Sequence, residues 1–408
     1  MSSLKINRRL IMTPGPVAVD PRVSQAMSNS ILGQFDSEFT NIMNETMDLI
    51  RDSFKTDNKW SYPIDGTSRA GIEAAISSIV EPGDKVLIPV IGRFGNLLIE
   101  LVERAGGEVH TIEAPMGEVI PQEDIIKEMD KVEPKVLALI HGETSSGRSQ
   151  PIDQLGKAAK ERGVFTVVDA VATYMGQDIP VDEWELDAVI GGSQKCLSVP
   201  SGITPITYND RFSEEINKRK RVEKGIRTES DEENQLSFIT SNYLDLTQLE
   251  GYWSNRRLNH HTEATVNVYG LYEGLKLALA EGVEQRAKRH SYHHEAMKQA
   301  VTAMGLEIFG DQEHEMQMVV CVNIPEGVED AVFRNELLER FGIEIAGTFG
   351  AVAGKIWRIG TMGYVAEKQN LLNFISAFGV FLESKGVKNI DASAGLKALI
   401  DFYDNNEL

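Results

Sequence analysis

VFTVVDAVATYMGQDIPVDEWELDAVIGGSQ, residues 164–194, contains two short apolar runs, and polar residues follow each of them. Similar β-rich runs occur earlier in the chain, at residues 85–90, 108–114 and 135–143. Segments with helical spacing that end at glycine lie between these runs. Apolar strands that alternate with helices predict an α/β fold with a mostly parallel central sheet, buried on both faces. In such sheets, ligands bind beyond the carboxyl ends of the strands.

The bulk composition excludes several classes of partner. The 408-residue chain has a net charge of −20, which argues against nucleic acid or an anionic membrane surface as its main partner. Its two cysteines, Cys196 and Cys321, offer no disulfide framework, as is typical of the reducing cytoplasm. The start of the sequence has no apolar segment of the signal-peptide type, and no stretch is long enough to span a membrane. We therefore expect a cytoplasmic protein that acts on small molecules.

Two ionisable side chains follow strand ends at the expected ligand edge. Asp169 closes the run VFTVVDA, where a buried carboxylate needs a cation. It could stabilise a protonated heterocyclic nitrogen, cap a following helix or pair with a lysine. Lys195 follows Gly-Gly-Ser-Gln and is either an ordinary solvated loop cation or, if desolvated, a nucleophilic amine with a lowered pKa. The residues alone leave these alternatives open.

Two further segments carry candidate anion-binding groups. The segment DGTSRAGIEAAISSIVEPG, residues 65–83, predicts a helix that Thr67 or Ser68 can cap. The free N–H groups at its start could bind a phosphate, although most such turns are only caps. Arg358 lies in KIWRIGTMGY, within an apolar strand pattern. Its guanidinium suits bidentate binding of a substrate carboxylate, and a structural salt bridge is an equally good interpretation.

Taken together, these segments resemble the class V aminotransferase family, and within it the alanine/serine–glyoxylate branch. Seven motifs in order carry the resemblance: TPGP, GTSRAGIEAA, HGETSSG, VDAVAT, SQKCLSVPSG, HHT and WRIG. The resemblance implies a fold-type I transferase that depends on pyridoxal 5'-phosphate (PLP), with a smaller C-terminal α+β domain. We expect an N-terminal arm over residues 1–20, a large PLP-binding domain over 21–262 and a small domain over 263–408. A homodimer with shared active sites is also implied.

The resemblance also assigns roles to individual residues. Lys195 would hold PLP as a Schiff base and move the substrate proton, while Asp169 would pair with the pyridine nitrogen. Phe94 would stack on the cofactor ring, and Arg358 would bind the substrate carboxylate. The remaining cofactor-binding positions are Thr67, Ser68, Arg69, Thr144, Gln194 and, from the partner subunit, Thr262.

Two amide side chains indicate which amino donor the protein uses. Relatives that use alanine usually have histidine where this chain has Gln34 and tyrosine where it has Asn259. An amide offers a donor and an acceptor on one plane, as a ureido group does, and a buried amide without a partner costs about 1–3 kcal/mol. The resemblance therefore implies transfer of the amino group of (S)-ureidoglycine to glyoxylate in purine breakdown, giving oxalurate and glycine. Both amides could instead be surface residues, with alanine– or serine–glyoxylate transamination as the alternative.

Three other interpretations fit the sequence less well. Cysteine desulfuration needs a nucleophilic cysteine on a mobile loop, whereas Cys196 adjoins Lys195 and Cys321 lies in an apolar strand pattern. A non-enzymatic regulator would need a DNA-binding segment, which an acidic chain of this pattern does not offer. Adjacent residues do not share a helix or strand face, so His260 and His261 do not predict a metal site.

Overall fold

The computed structural model describes residues 4–229, 237–348 and 350–408. The strands in these ranges are β1 Leu10–Ile11, β2 Trp60–Gly66, β3 Lys85–Val90, β4 Glu108–Glu113, β5 Val136–Ile140, β6 Gly142–Glu143, β7 Arg148–Ser149, β8 Phe165–Asp169, β9 Ala188–Ile190, β10 Gly202–Tyr208, β11 Val319–Asn323, β12 Ile343–Glu344 and β13 Ile356–Gly360. The helices are α1 Pro21–Ala26, α2 Ser37–Phe54, α3 Ser68–Ile79, α4 Arg93–Ala105, α5 Gln122–Val132, α6 Leu155–Glu161, α7 Asp210–Asn217, α8 Leu246–Trp253, α9 Thr265–Glu281, α10 Val283–Ala303, α11 Asp330–Phe341, α12 Lys368–Ser384 and α13 Ala392–Asn405.

The central sheet has seven strands in the order β2-β10-β9-β8-β5-β3-β4. The five strands from β9 to β4 are parallel to one another, whereas β10 runs antiparallel to both β9 and β2. Buried apolar side chains cover both faces of β3, β5, β8 and β9, as the continuous apolar runs require, whereas β4 at the edge has no buried residue. The predicted α/β fold with a mostly parallel central sheet is confirmed.

Three neighbouring strands end at the same level of the sheet. Ile140 of β5 pairs with Asp169 of β8, which in turn pairs with Ile190 of β9. The segments that follow these strands therefore emerge side by side. Strand β9 is shorter than the predicted run, because the chain leaves the sheet after Ile190. At Gly192 a Cβ would collide with the Val171 carbonyl oxygen, so this turn requires glycine.

The buried apolar side chains form two large groups. The first surrounds the central sheet and includes side chains of α2, α3, α8 and α9. The second lies among α10, α11, α12, α13, β11 and β13, and Met12 of the N-terminal segment belongs to it. Strand β1 also pairs with β12, so the N-terminal segment crosses onto the C-terminal part of the chain. The expected domain boundaries, after residues 20 and 262, stay predictions.

Residues 264–303, which predict one long helix or a kinked pair, form α9 and α10 with a break at Gly282. This glycine has a φ of +93°, which only glycine adopts readily. None of the helices in the described ranges combines the length and the hydrophobicity needed to cross a lipid bilayer.

Candidate active site

A cavity of about 220 Å³ lies where β5, β8 and β9 end. Eight of the predicted site residues border it, and they are Thr67, Ser68, Arg69, Phe94, Thr144, Asp169, Gln194 and Lys195. These residues come from five separate segments of the sequence, and the strand order of the sheet brings the segments together. A larger groove of about 860 Å³ lies between residues 323–329 and 385–390, but among the described residues none of the predicted site positions borders it.

Lys195 lies in the turn after β9, and its Nζ donates a hydrogen bond to the carbonyl oxygen of Pro14. Surrounding protein atoms desolvate the ammonium group and Arg358 repels it, and these effects lower the pKa of Lys195 to about 8. A Cβ on Gly15 would collide with the lysine side chain, so glycine lets the N-terminal segment pass this close. An amine with this pKa can release its proton near neutral pH, as a nucleophilic or proton-transferring lysine must.

Asp169 ends β8 and is 6 % exposed. Burial raises the pKa of its carboxyl group to about 7, against the hydrogen bond that Oδ1 accepts from the Val171 N–H at 2.9 Å. Residues 170–187, all of which the structure describes, contain no α-helix, so Asp169 does not cap a following helix. A positive charge opposite this carboxyl group in the cavity would favour its ionised form.

The other end of the cavity is formed by the start of α3. Thr67 occupies the N-cap position, as predicted, but in the described structure its side chain makes no capping hydrogen bond. The Ser68 hydroxyl donates instead to Oε1 of Gln194 at 3.0 Å, which links the start of α3 to the segment that carries Lys195. A helix start that faces a cavity attracts anions through its N–H groups and its dipole.

Arg358 lies in β13 and is 7 % exposed. Its Nε donates to the carbonyl oxygen of Gly347 at 2.7 Å, and Nη1 donates to that of Thr144 at 2.8 Å. These two partners are backbone carbonyl groups rather than the carboxylate of a salt bridge. Through Thr144, which borders the cavity, the guanidinium is fixed next to the site.

The other three predicted residues lie apart from Lys195 of the same chain. The Gln34 Nε2 donates to Oδ1 of Asn259 at 3.1 Å. Gln34 and Thr262 border a separate cavity of about 530 Å³. We call Gln34, Asn259 and Thr262 the amide patch. Within the described residues of one chain, the amide patch does not border the cavity of Lys195.

His261 anchors the segment that carries Asn259 and Thr262 of the amide patch. Its Nε2 lies 3.5 Å from Oδ2 of Asp65, at the end of β2, and 3.5 Å from Oε2 of Glu263. Burial lowers the pKa of His261, but the two carboxylates outweigh it and raise the value to about 9. The sequence shows two adjacent histidines and gives no sign of this pairing, because Asp65 is distant in sequence.

The two cysteines do not have the properties of a desulfurase nucleophile. Cys196 and Cys321 are buried, and burial raises the pKa of each thiol to about 12. A thiol in such surroundings stays protonated and is inert. Desulfuration is therefore disfavoured on chemical grounds.

The chain is similar to known proteins of one enzyme family. The model of the family described as aminotransferase class-V matches residues 22–356. Over 399 residues the chain is 53% identical to the (S)-ureidoglycine–glyoxylate transaminase of Bacillus subtilis (strain 168), covering 97% of this chain and 96% of that protein. The chain belongs to the class-V aminotransferase family.

This class-V aminotransferase also shares its fold with solved structures. The crystal structure of ureidoglycine–glyoxylate aminotransferase from Bacillus subtilis matches with a TM-score of 0.94 and 51% identity, covering 99% of this chain and 100% of that one. An alanine–glyoxylate aminotransferase from Nostoc sp. matches with a TM-score of 0.87 and 34% identity, covering 94% and 97% of the two chains. The predicted family and the fold-type I architecture are confirmed, and the protein is a transaminase.

Proposed function

We propose that this aminotransferase transfers the amino group of (S)-ureidoglycine to glyoxylate with the help of PLP. The observation that carries the proposal is the pair of amides, Gln34 and Asn259, bonded to each other beside Thr262. A planar amide complements the ureido group of this donor, whereas the methyl group of alanine offers neither a donor nor an acceptor. The Bacillus subtilis relative, 53% identical, carries the name of this reaction and supports the proposal.

The residues around the 220 Å³ cavity suit PLP. The start of α3 would bind the phosphate, and Asp169 would pair with a protonated ring nitrogen. Phe94 would stack on the face of the ring, and the amine of Lys195 would bond to the aldehyde. When bound, PLP supplies an aldehyde that accepts an amino group and a ring that withdraws electrons from the substrate carbon. The groups that this chain presents therefore match the phosphate, ring and aldehyde in turn.

The chain's own residues supply the proton and charge control. Lys195, with a pKa of about 8, can hold or release a proton at the substrate carbon near neutral pH. Asp169 would be ionised opposite a protonated nitrogen and would keep that proton in place. Arg358, fixed beside Thr144, would orient the carboxylate that both substrates carry.

The proposed reaction needs no external oxidant. The C–N and C–H bonds at the donor carbon break and a C=O bond forms there, giving oxalurate. At the glyoxylate carbon the C=O bond is replaced by a C–N and a C–H bond, giving glycine. The donor carbon is oxidised by as many electrons as the acceptor carbon gains, so the exchange balances.

The site of the proposed enzyme is completed across a homodimer. The amide patch lies apart from Lys195 of its own chain, and the resemblance implies that Thr262 serves the partner's cofactor. Gln34 and Asn259 lie next to Thr262 and would reach the same partner site. One face of each subunit would therefore bind the cofactor, and the other would bind the ureido group of the amino donor in the partner's site.

A comparison of donors tests the proposal. With glyoxylate as the acceptor, we expect the purified enzyme to convert (S)-ureidoglycine faster than alanine or serine. The double change Gln34→His and Asn259→Tyr is expected to lower kcat/KM for ureidoglycine about ten- to a hundredfold, because the ureido group loses its partners. Asn255→Ala, a change of an exposed amide in a nearby loop, is the matched control. Faster turnover of alanine or serine by the unchanged enzyme would establish the alternative donor instead.

A further inference from the structure

Glu143 is a fully buried carboxylate in β6, and its neighbours Gly142 and Thr144 border the proposed cofactor cavity. Its Oε2 accepts a hydrogen bond from the Phe94 N–H at 2.8 Å. Its Oε1 accepts from the Ser145 N–H at 2.9 Å and from the Ser145 hydroxyl at 2.5 Å. A buried charge without such partners would be strongly unfavourable, so these bonds define where the carboxylate lies.

Through these bonds Glu143 substitutes for the missing N-cap side chain of α4. The N-cap residue of α4 is Gly92, which has no side chain to satisfy the first N–H groups. Glu143 accepts a hydrogen bond from the Phe94 N–H, and the Ser145 hydroxyl oxygen accepts one from the Arg93 N–H at 3.1 Å. A Cβ on Gly92 would lie 2.5 Å from Cγ and Cδ of Glu143, so glycine is needed for the carboxylate to come this close.

The same carboxylate fixes the turn that carries Thr144. Thr144 lies between Glu143 and Ser145, which are bonded to each other, and its carbonyl oxygen accepts from Nη1 of Arg358 at 2.8 Å. One buried group therefore holds two parts of the site. It holds the first turn of α4, with the Phe94 ring, and the carbonyl group that orients the Arg358 guanidinium.

Burial raises the pKa of Glu143 against its hydrogen bonds from Ser145 and Phe94, and in its ionised form this carboxylate also acts on Asp169 and Lys195. Burial has the largest effect on the pKa of Asp169, and the Glu143 carboxylate raises that pKa further. The same charge partly opposes the lowering of the pKa of Lys195. A neutral side chain at position 143 would therefore shift both groups toward lower pKa values.

We propose that Glu143 is a positioning residue of the active site, which sets the Phe94 ring against the cofactor and Arg358 against the substrate carboxylate. The proposal rests on the proposed PLP site but not on the identity of the amino donor. Glu143 does not border the cavity, so it would act through Phe94 and Thr144, which do.

Two variants separate position from charge. Glu143→Gln removes the charge and leaves one oxygen to accept hydrogen bonds, while Glu143→Asp keeps the charge but is one methylene too short to bridge Phe94 and Ser145. We expect both variants to raise the dissociation constant of PLP about tenfold or more, and to weaken the visible circular dichroism of the bound cofactor. We also expect KM for glyoxylate to rise more than kcat falls, because Arg358 is displaced.

The matched control is Asp187→Asn, which neutralises another buried carboxylate at the opposite edge of the sheet. Asp187 accepts a hydrogen bond from the Thr166 N–H at 2.9 Å and forms an ion pair with Arg211 at 2.6 Å. Removing its charge should therefore lower the midpoint temperature of unfolding and leave the cofactor site unchanged. PLP affinity and the cofactor spectrum of Asp187→Asn should stay unchanged. Unchanged PLP affinity and spectrum in Glu143→Gln, with only a lower midpoint temperature, would reduce Glu143 to a structural cap.

A double-mutant cycle keeps the proposal testable if Glu143→Gln folds poorly. Ser145→Ala removes one partner of Glu143 and the bond to Arg93 but leaves the charge in place. Its effect on PLP affinity should largely disappear in a Phe94→Leu background, because both changes act on the same ring contact. Fully additive effects would overturn the proposal. The readouts use PLP and glyoxylate with any donor that the enzyme accepts, so a wrong ureidoglycine assignment would leave them intact.

Discussion

Lys195 and Asp169 border one buried cavity, and burial there moves the pKa of each toward neutral pH. Burial penalises the charged form of each, which lowers the pKa of Lys195 to about 8 and raises that of Asp169 to about 7. Their mutual attraction opposes both shifts but does not cancel them. Near neutral pH, both groups can therefore exchange protons with whatever occupies the cavity.

The raised pKa of Asp169 predicts a pH-dependent stability in the protein without cofactor. The unfolded chain ionises this group near 3.8 and the folded chain at about 7, so ionisation destabilises the fold above pH 4, and fully above pH 7. Asp169→Asn should therefore stabilise the cofactor-free protein by up to about 4 kcal/mol at pH 8, and by almost nothing at pH 4. Urea unfolding at both pH values measures this difference.

Asp57→Asn, at an exposed carboxylate, is the control for the Asp169 measurement and should change stability little at either pH. A variant Asp169→Asn that is less stable than the unchanged protein at pH 8 would show that a cationic partner already compensates the carboxylate. With PLP bound, the order should reverse, because the protonated ring nitrogen favours the ionised aspartate.

Helix α3 must approach the sheet closely to present its N-terminus to the cavity. Gly71 makes this possible, since a Cβ there would lie 2.5 Å from Cγ2 of Thr204 and 3.1 Å from Cγ2 of Ile190. Both neighbours are β-branched side chains on strands and have little freedom to move. The separation between helix and sheet is therefore set by a missing side chain.

Gly71→Ala should push the start of α3 away from the sheet. Overpacking costs about 1–3 kcal/mol, which outweighs the roughly 0.5–1 kcal/mol that alanine gains over glycine within a helix. We expect a lower free energy of unfolding and weaker PLP binding, measured by denaturant titration and by cofactor titration. Glu73→Ala, on the exposed side of the same helix, should leave both within error. A stabilised Gly71→Ala would mean that the strands yield to the added methyl group.

At the level of elements, local patterns predict the parallel part of the sheet well. Strand β3 covers residues 85–90 as expected, and α4 ends before Gly106, whose φ is +87°. The local sequence pattern does not predict β10, Gly202–Tyr208, as a strand. Its antiparallel pairing with β2 joins residues distant in sequence, and local propensity does not encode such a contact.

Within the site, the residues that sequence predicts are those that strand ends or family motifs mark. Asp169 ends β8 and Lys195 follows β9, and the parallel register of these strands brings both residues to one edge. Glu143 lies in the motif HGETSSG, but nothing in that string indicates that its carboxylate caps a helix 49 residues away. The contact of Pro14 with Lys195 is missed for the same reason, because it depends on how the N-terminal segment crosses the fold.

On the scale of the whole molecule, each chain presents two separate surfaces that carry the predicted site residues. One is the cavity of Lys195, and the other is the amide patch of Gln34, Asn259 and Thr262. Neither surface is sufficient for the proposed reaction. The cavity lacks the amides that would hydrogen-bond to the ureido group of the donor, and the amide patch lacks the amine of Lys195. A symmetric dimer that places the amide patch of each chain over the cavity of its partner would complete both sites.

Mixed dimers test this arrangement directly. Lys195→Ala removes the amine of the proposed site, and Thr262→Asp would place a negative charge against the cofactor phosphate, so each variant alone should be inactive. If Thr262 serves the partner, a mixed dimer contains one site with both Lys195 and an unchanged Thr262. Random exchange of subunits should then restore about a quarter of the activity of the unchanged enzyme, because half the dimers are mixed and each has one working site. If Thr262 serves its own chain, every site in the mixture is defective, and activity after subunit exchange stays at the level of the separate variants.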